Sequence, residues 1–227
     1  MRLTARDVKI VRDVALSHVM SRDQVLELDY FSSVTRANAR LRELVKAGLL
    51  RRLETPFFTQ NLYCAGRAAP QVSGERIAAL LSGRGHSPRF LQHALAVTNV
   101  RIALLNRGAR DWRYEQQLRA CFEYGGRIHE VRPDGFAILK SGPTALEVDL
   151  GHVAPAKFRQ KLQSFHAFTH CGECSRQWKL KMLRLLVVTT GSRRAAALLR
   201  LLPPDCAFDF HTTTFDELGV QARGAWS

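Results

Sequence analysis

Apolar residues at Val8, Val11, Ala15 and Val19 recur at helical spacing behind Thr4, whose hydroxyl suits an N-cap, so a first helix is expected over residues 5–19. Ser21 heads a second, short helix through about Leu28. A third begins at Ser32 or Ser33 and buries Val34, Ala37, Leu41, Leu44 and Val45 along one stripe. It stops at Gly48, the residue type that best accepts the left-handed backbone after a helix. Leu49-Leu50-Arg51-Arg52-Leu53, a turn around Pro56 and Asn61-Leu62-Tyr63-Cys64 then read as a β-hairpin. Three short helices closed by a hairpin predict a winged helix-turn-helix over residues 1–66.

Residues 67–90 carry Pro70, Ser73, Gly74, Ser82, Gly83, Gly85, Ser87 and Pro88 around a short apolar segment and read as a linker. Residues 91–105 are apolar on more than one side, the pattern of a helix that is either deeply buried or the seam of a homodimer. Beyond them, residues 131–139 and 144–150 read as strands joined by Lys140-Ser141-Gly142-Pro143, and residues 155–168 as a helix. A strand over 183–189, a helix over 192–201 and a last strand over 206–211 complete the pattern. The predicted fold class is therefore mixed α/β, with the N-terminal winged helix followed by a restriction-endonuclease-like α/β domain over residues 91–227.

Charge narrows the partner. Lys and Arg number 34 against 20 Asp and Glu, a formal net charge of +14, and residues 157–200 hold ten basic groups against Glu173 alone. Such an excess favours a polyanion, because each neutralised phosphate releases counterions. Double-stranded DNA is the expected partner. Thr35 to Leu41 with Leu44 to Leu50 resembles the recognition helix and wing entry of bacterial winged-helix regulators, which implies that Ser33, Thr35, Arg36, Asn38 and Arg40 meet base edges and phosphates near the N-terminus of the third helix, while Arg51 and Arg52 track the backbone. The basic helix around Lys157 to Lys161 and the arginines from Arg176 to Arg194 would hold the backbone elsewhere. The bland alternative is a solvated face on a module for protein contacts. No apolar run approaches the roughly 20 residues of a membrane span, and the N-terminus lacks the apolar core of a secretory signal, so a cytoplasmic protein is expected.

Two clusters suggest chemistry. A two-residue turn at Ser141-Gly142 would pair Leu139 with Thr144 and set Asp134 opposite Asp149 and Phe136 opposite Glu147, leaving Asp134, Glu147 and Asp149 on one face. Three carboxylates so placed repel unless a cation, nearby basic groups, solvent or a raised pKa compensates, and an oxygen-rich set suits Mg²⁺ or Mn²⁺. His166, His170, Cys171 and Cys174 offer four zinc ligands within nine residues, although adjacent ligands strain a closed tetrahedral site. The other reading is a helix end with free cysteines, in keeping with an odd set of five.

Pro133-Asp134 followed by Glu147-Val148-Asp149 resembles the PD-(D/E)XK signature of nucleases, with Asp149 where that superfamily has lysine. The resemblance implies that Lys161 or Lys157 supplies the missing charge, or that the site does not cleave. The whole chain is similar to the replication-relaxation family of bacterial plasmids and integrative elements, from about residue 4 to 190. The matching pieces are Arg36 to Leu44 with Gly48-Leu49-Leu50, His93 with Leu95 to Val100, Trp112 to Glu115, Val131 to Gly135, Glu147 to Gly151, and Lys161-Leu162 with Phe165. That resemblance implies a DNA-binding protein of mobile-element replication or transfer, with Glu115, Asp134, Glu147, Asp149 and Lys161 as the site. Two outcomes stay open: a metal-dependent endonuclease, or a non-cleaving regulator whose second domain dimerises or binds a partner.

Overall fold

Thr4 and Asp7 cap each other at the start of α1 (Ala5–Leu16): the Thr4 hydroxyl accepts the Asp7 N–H, and the Asp7 carboxylate accepts the Thr4 N–H at 2.7 Å. Ser21 and Gln24 repeat the device at α2 (Arg22–Glu27), and Ser33 caps α3 (Val34–Lys46). Gly48, at φ +70°, closes α3, with Leu49 N–H returning to the Leu44 carbonyl. The first helix stops at Leu16 rather than at residue 19, because His18 takes a left-handed backbone at φ +66°. The computed structural model describes residues 2–56, 58–74 and 87–221.

Contacts divide the chain into two compact units, one up to Ile102 and one from Ala103 onward. In the first, β2 (Leu50–Leu53) and β3 (Leu62–Ala65) form the expected hairpin, and the two-residue β1 (Met20–Ser21) adds to the other edge of β3. A core of Ile10, Val11, Val14, Leu41, Leu44 and Leu50 lies beneath the three helices. A short helix, α4 (Pro70–Ser73), follows, and part of the expected linker, residues 75–86, lies outside the described residues.

Helix α5 (Pro88–Asn106) explains its own all-round apolarity without a second chain. Leu91, Ala94 and Leu95 pack with Val19, Leu53, Phe58 and Leu62 of the first unit. Polar groups fix the same helix: Gln24 Nε2 donates to Leu95 O at 2.8 Å and to Asn99 Oδ1 at 2.6 Å. Beside them, Asp13 on α1 accepts from Arg101 at 2.8 Å and from the Tyr30 hydroxyl, all three groups being buried. The expected domain start at residue 91 falls inside the first compact unit, which runs to Ile102.

The second unit is a five-stranded mixed sheet in the order β10 (Asp209–Thr214), β9 (Arg184–Thr189), β8 (Gly142–Asp149), β7 (Gly135–Leu139), β4 (Arg110–Tyr114). The β8–β9 and β9–β10 pairs are parallel; β7–β8 and β4–β7 are antiparallel. Helix α7 (Pro155–His170) leads from β8 to β9, and α9 (Ser192–Leu199) leads from β9 to β10, as parallel neighbours require. Phe158, Leu162, Phe165 and Phe168 of α7 share a core with Ala145, Leu185 and Val187 of the sheet. Between β4 and β7 come α6 (Glu115–Leu118) and a separate hairpin, β5 (Ala120–Tyr124) with β6 (Arg127–Val131); α8 (Glu173–Trp178) follows α7. The strand expected over 131–139 is thus split at residues 132–134 between two sheets, and the last strand begins three residues late, at Asp209.

Removing the Asp13 carboxylate strands a buried guanidinium. Asp13→Ala is expected to lose about 3–5 kcal/mol of stability, and Asp13→Asn less, because the amide still offers Arg101 and Tyr30 an acceptor; urea denaturation at pH 7 measures both.

Candidate functional site

The β7–β8 turn sets the site. Leu139 pairs with Gly142, Phe136 with Ala145 and Gly135 with Leu146, so the turn residues are Lys140 and Ser141, not Ser141 and Gly142. Gly142 sits at φ +112°, a backbone other residues rarely adopt, which anchors the turn one residue earlier than the sequence suggests. The register moves by two positions. The carboxylates keep their shared face, but one step beyond the Gly135–Leu146 pair stands Asp134 across from Glu147, where Asp149 was expected to face it.

Asp134 accepts the Val148 N–H at 2.7 Å through Oδ2 and donates its own N–H to Leu146 O at 2.9 Å. Glu147 is buried, and Lys161, one-third exposed at 35% of its side chain, reaches from α7 to donate to Glu147 Oε2. Burial opposes the charge on Lys161. The carboxylates of Glu147, Asp134 and Glu115 outweigh that penalty and hold the ammonium above the usual lysine range. Glu115, at the first turn of α6, is itself paired with Arg132 at 3.0 Å. Four of the five expected residues, Glu115, Asp134, Glu147 and Lys161, are thereby brought into one electrostatic cluster. Asp149 is committed to other partners: it accepts from Arg194 at 2.7 Å and from the Thr189 hydroxyl at 3.0 Å, and Arg194 also caps the Val153 carbonyl at 2.8 Å.

The carboxylate repulsion that called for Mg²⁺ or Mn²⁺ is answered by side chains: Lys161 for Glu147 and Arg194 for Asp149. Among the described residues, no group of three or more histidine, cysteine or carboxylate side chains is placed to hold one metal ion. The same holds for the expected zinc ligands. Cys174 lies in the core, its thiol pushed up to about 11 by burial, while Cys171 is exposed at the end of α7. His166 and His170 stack ring on ring at 5.5 Å, and His166 Nδ1 accepts the Ala207 N–H at 3.3 Å.

The expected DNA contacts also divide. Thr35, Arg36, Arg51 and Arg52 are exposed, and Asn38 is half-buried. Ser33 is occupied as the α3 cap. Arg40 is a clamp: Nε and Nη2 grip the two oxygens of Asp7 at 2.8 and 2.7 Å, with Glu43 on its other side. That grip holds the Asp7 carboxyl down at about 2. Of the arginines expected to hold DNA between Arg176 and Arg194, Arg176 pairs with Glu173, Arg184 with Asp209 and Arg194 with Asp149. The β5–β6 hairpin went unpredicted, although Gly125-Gly126 between short alternating runs is a hairpin signal.

The sequence matches the replication-relaxation family over residues 11–181, three quarters of its length, and the chain belongs to that family. No curated protein matches it by sequence. Among solved structures, it is similar to the crystal structure of protein VC1899 from Vibrio cholerae at 11% identity and a TM-score of 0.34, over 93% of this chain and 47% of that one. The chain thus spans about half the length of that relative.

Lys161→Met is expected to lose about 2–3 kcal/mol, because Glu147 is left buried without its cation, and adding Glu147→Gln should recover most of the loss. Urea denaturation of the four proteins of that cycle measures the coupling. For Asp7, the folded carboxyl titrates at about 2 against an ordinary 3.8, so its contribution is full above pH 4 and is lost as pH falls toward 2. Asp7→Asn should cost up to about 2 kcal/mol at pH 6 and flatten that acid limb, as read by thermal melts across the pH range.

Proposed function

We propose that this chain is a DNA-binding protein of mobile-element replication or transfer, in which the first unit is a winged helix that reads duplex DNA and the second a nuclease-like framework that does not cleave. Membership of the replication-relaxation family implies the role in plasmid or mobile-element replication or transfer. The observation that carries duplex binding is the exposed set Thr35 and Arg36 on α3 with Arg51 and Arg52 on the following strand. A helix N-terminus and an adjoining basic wing are the elements with which winged helices meet a groove and its phosphates. The order of α1, β1, α2, α3, β2 and β3, with β1 on the outer edge of β3, supports the same reading. No helix among the described residues is long and apolar enough to cross a membrane.

The framework reading rests on Asp134 and Glu147 facing each other across a hairpin that leads into parallel strands, with a lysine reaching them from the next helix. The non-cleaving reading rests on how those groups are spent. Lys161 neutralises Glu147 instead of standing free beside a water, and the position after Val148 is an aspartate tied to Arg194. Glu147 and Asp149 are thus each engaged by an internal cation, which supports the non-cleaving reading.

Purified protein incubated with supercoiled plasmid in Mg²⁺ or Mn²⁺ is expected to retard the DNA in a gel without nicking it. Nicking that disappears in the Asp134→Ala/Glu147→Ala variant overturns the non-cleaving half of the reading; failure of the wild type to bind duplex overturns the other half. Arg51→Ala/Arg52→Ala should weaken duplex binding about sixty-fold at 0.1 M salt, the loss of two phosphate contacts. Sedimentation of the complex gives the number of copies on the DNA and so tests the homodimer.

A further inference from the structure

A cleft of about 700 Å³ opens within the second unit between β6 and α7. One wall is the β5–β6 hairpin, a two-stranded sheet of its own, turned by Gly125 and Gly126 at φ +59° and +71°. The other is the face of α7 that carries Lys157, Gln160, Lys161 and Gln163. Its cations are not equivalent. Lys161 is neutralised by Glu147, and Arg132 by Glu115, while the lining carboxylate Glu130 is answered by Arg119 at 3.0 Å. Arg127 and Lys157 are exposed and have no ion-pair partner among the described residues. They are the net positive charge of the cleft.

The same wall presents rings and hydrocarbon. His129 lines the cleft, with its ring stacked on Phe122 at 5.5 Å and 18°, and Tyr124 packs against it at 6.3 Å while 38% exposed. Ile128 also lines the cleft and is 85% exposed. A phosphodiester backbone suits the two free cations, and apolar or aromatic surface beside them suits the faces of bases, which only an unpaired strand offers. The volume is that of a small-molecule pocket, room for about one or two nucleotides and too little for a duplex.

We infer that this cleft holds an unpaired DNA strand, with Arg127 and Lys157 on its phosphates, His129 and Ile128 against its bases, and the Gln160 and Gln163 amides at base edges. The inference rests on the reading of the chain as a DNA-binding protein of replication or transfer, and adds a second, chemically different DNA site. A protein with a duplex-reading unit and a strand-holding cleft favours the melted form of its site, since binding only the open state shifts the equilibrium toward it.

Fluorescence anisotropy of the full chain with labelled oligothymidine and with a duplex of about 20 base pairs separates the two sites. Arg127→Ala/Lys157→Ala is expected to weaken oligothymidine binding about 25-fold at 0.1 M salt and to lower the salt slope by about 1.4, with a much smaller loss of duplex affinity. Lys157→Glu should act in the same direction, and Arg51→Ala/Arg52→Ala should do the reverse, harming duplex binding alone. Both target side chains are exposed, so melting temperatures should stay at the wild-type value. The inference is overturned if wild type does not bind oligothymidine, if the cleft variants bind it as wild type does, or if they lose duplex and single strand equally. Oligothymidine binding without duplex binding leaves the cleft standing and removes the winged-helix reading.

Discussion

A carboxylate taken out of water must meet a positive or hydrogen-bonding partner, and this requirement organises both halves of the molecule. Four buried aspartates and glutamates are each answered by a cation from another element: Asp7 by Arg40, Asp13 by Arg101, Glu147 by Lys161 and Asp149 by Arg194. The first two pairs tie α1 to α3 and α1 to α5; the other two tie the central strand β8 to the helices α7 and α9. Apolar packing supplies the bulk of the stabilisation, but it is non-directional. The paired charges select which helix sits over which strand, because any other pairing leaves a charge buried alone.

That division of labour changes the meaning of the basic composition. A net charge of +14 suggests a surface covered in DNA contacts, yet Arg40, Arg101, Arg184, Arg194 and Lys161 are each held by an internal carboxylate. The net charge still attracts a polyanion at long range. In the proposed reading, close contact falls to cations left exposed, among them Arg36, Arg51 and Arg52 in the first unit and Arg127 and Lys157 in the second. Nothing about an arginine's own letter separates these classes. Arg40 lies four residues from Arg36 on the same helix, and the buried Asp7 carboxylate, 33 positions away, makes it structural.

The sequence was most legible where signals are local. Caps at Thr4, Ser21 and Ser33, the Gly48 stop and the Ala37, Leu41 and Leu44 stripe of α3 all depend on residues within one or two turns and stand in the structure, while Val34, expected to be buried at the start of that stripe, is 47% exposed. Legibility failed where a partner lies far along the chain. The hairpin register depended on whether Lys140-Ser141 or Ser141-Gly142 made the turn, and both readings keep the carboxylates on one face because they differ by two residues. The two-residue β1 carries no periodicity at all and exists only because β3 offers an edge. Glu115 and Lys161 entered the site through resemblance; their approach to Glu147 and Asp134 is a product of the sheet and of α7 crossing it.

The position after Val148 shows how the proposed nuclease-like framework would close on itself. With lysine there, the strand would carry its own cation, and the flanking carboxylates would remain available to an external ion. Aspartate there reverses that charge, so β8 presents two buried anions two residues apart, Glu147 and Asp149. Two internal cations then become necessary for folding, and they come from α7 and α9. The aspartate at position 149 is thus answered by Arg194, and Glu147 by Lys161, so each buried anion of β8 has a cation from a different helix.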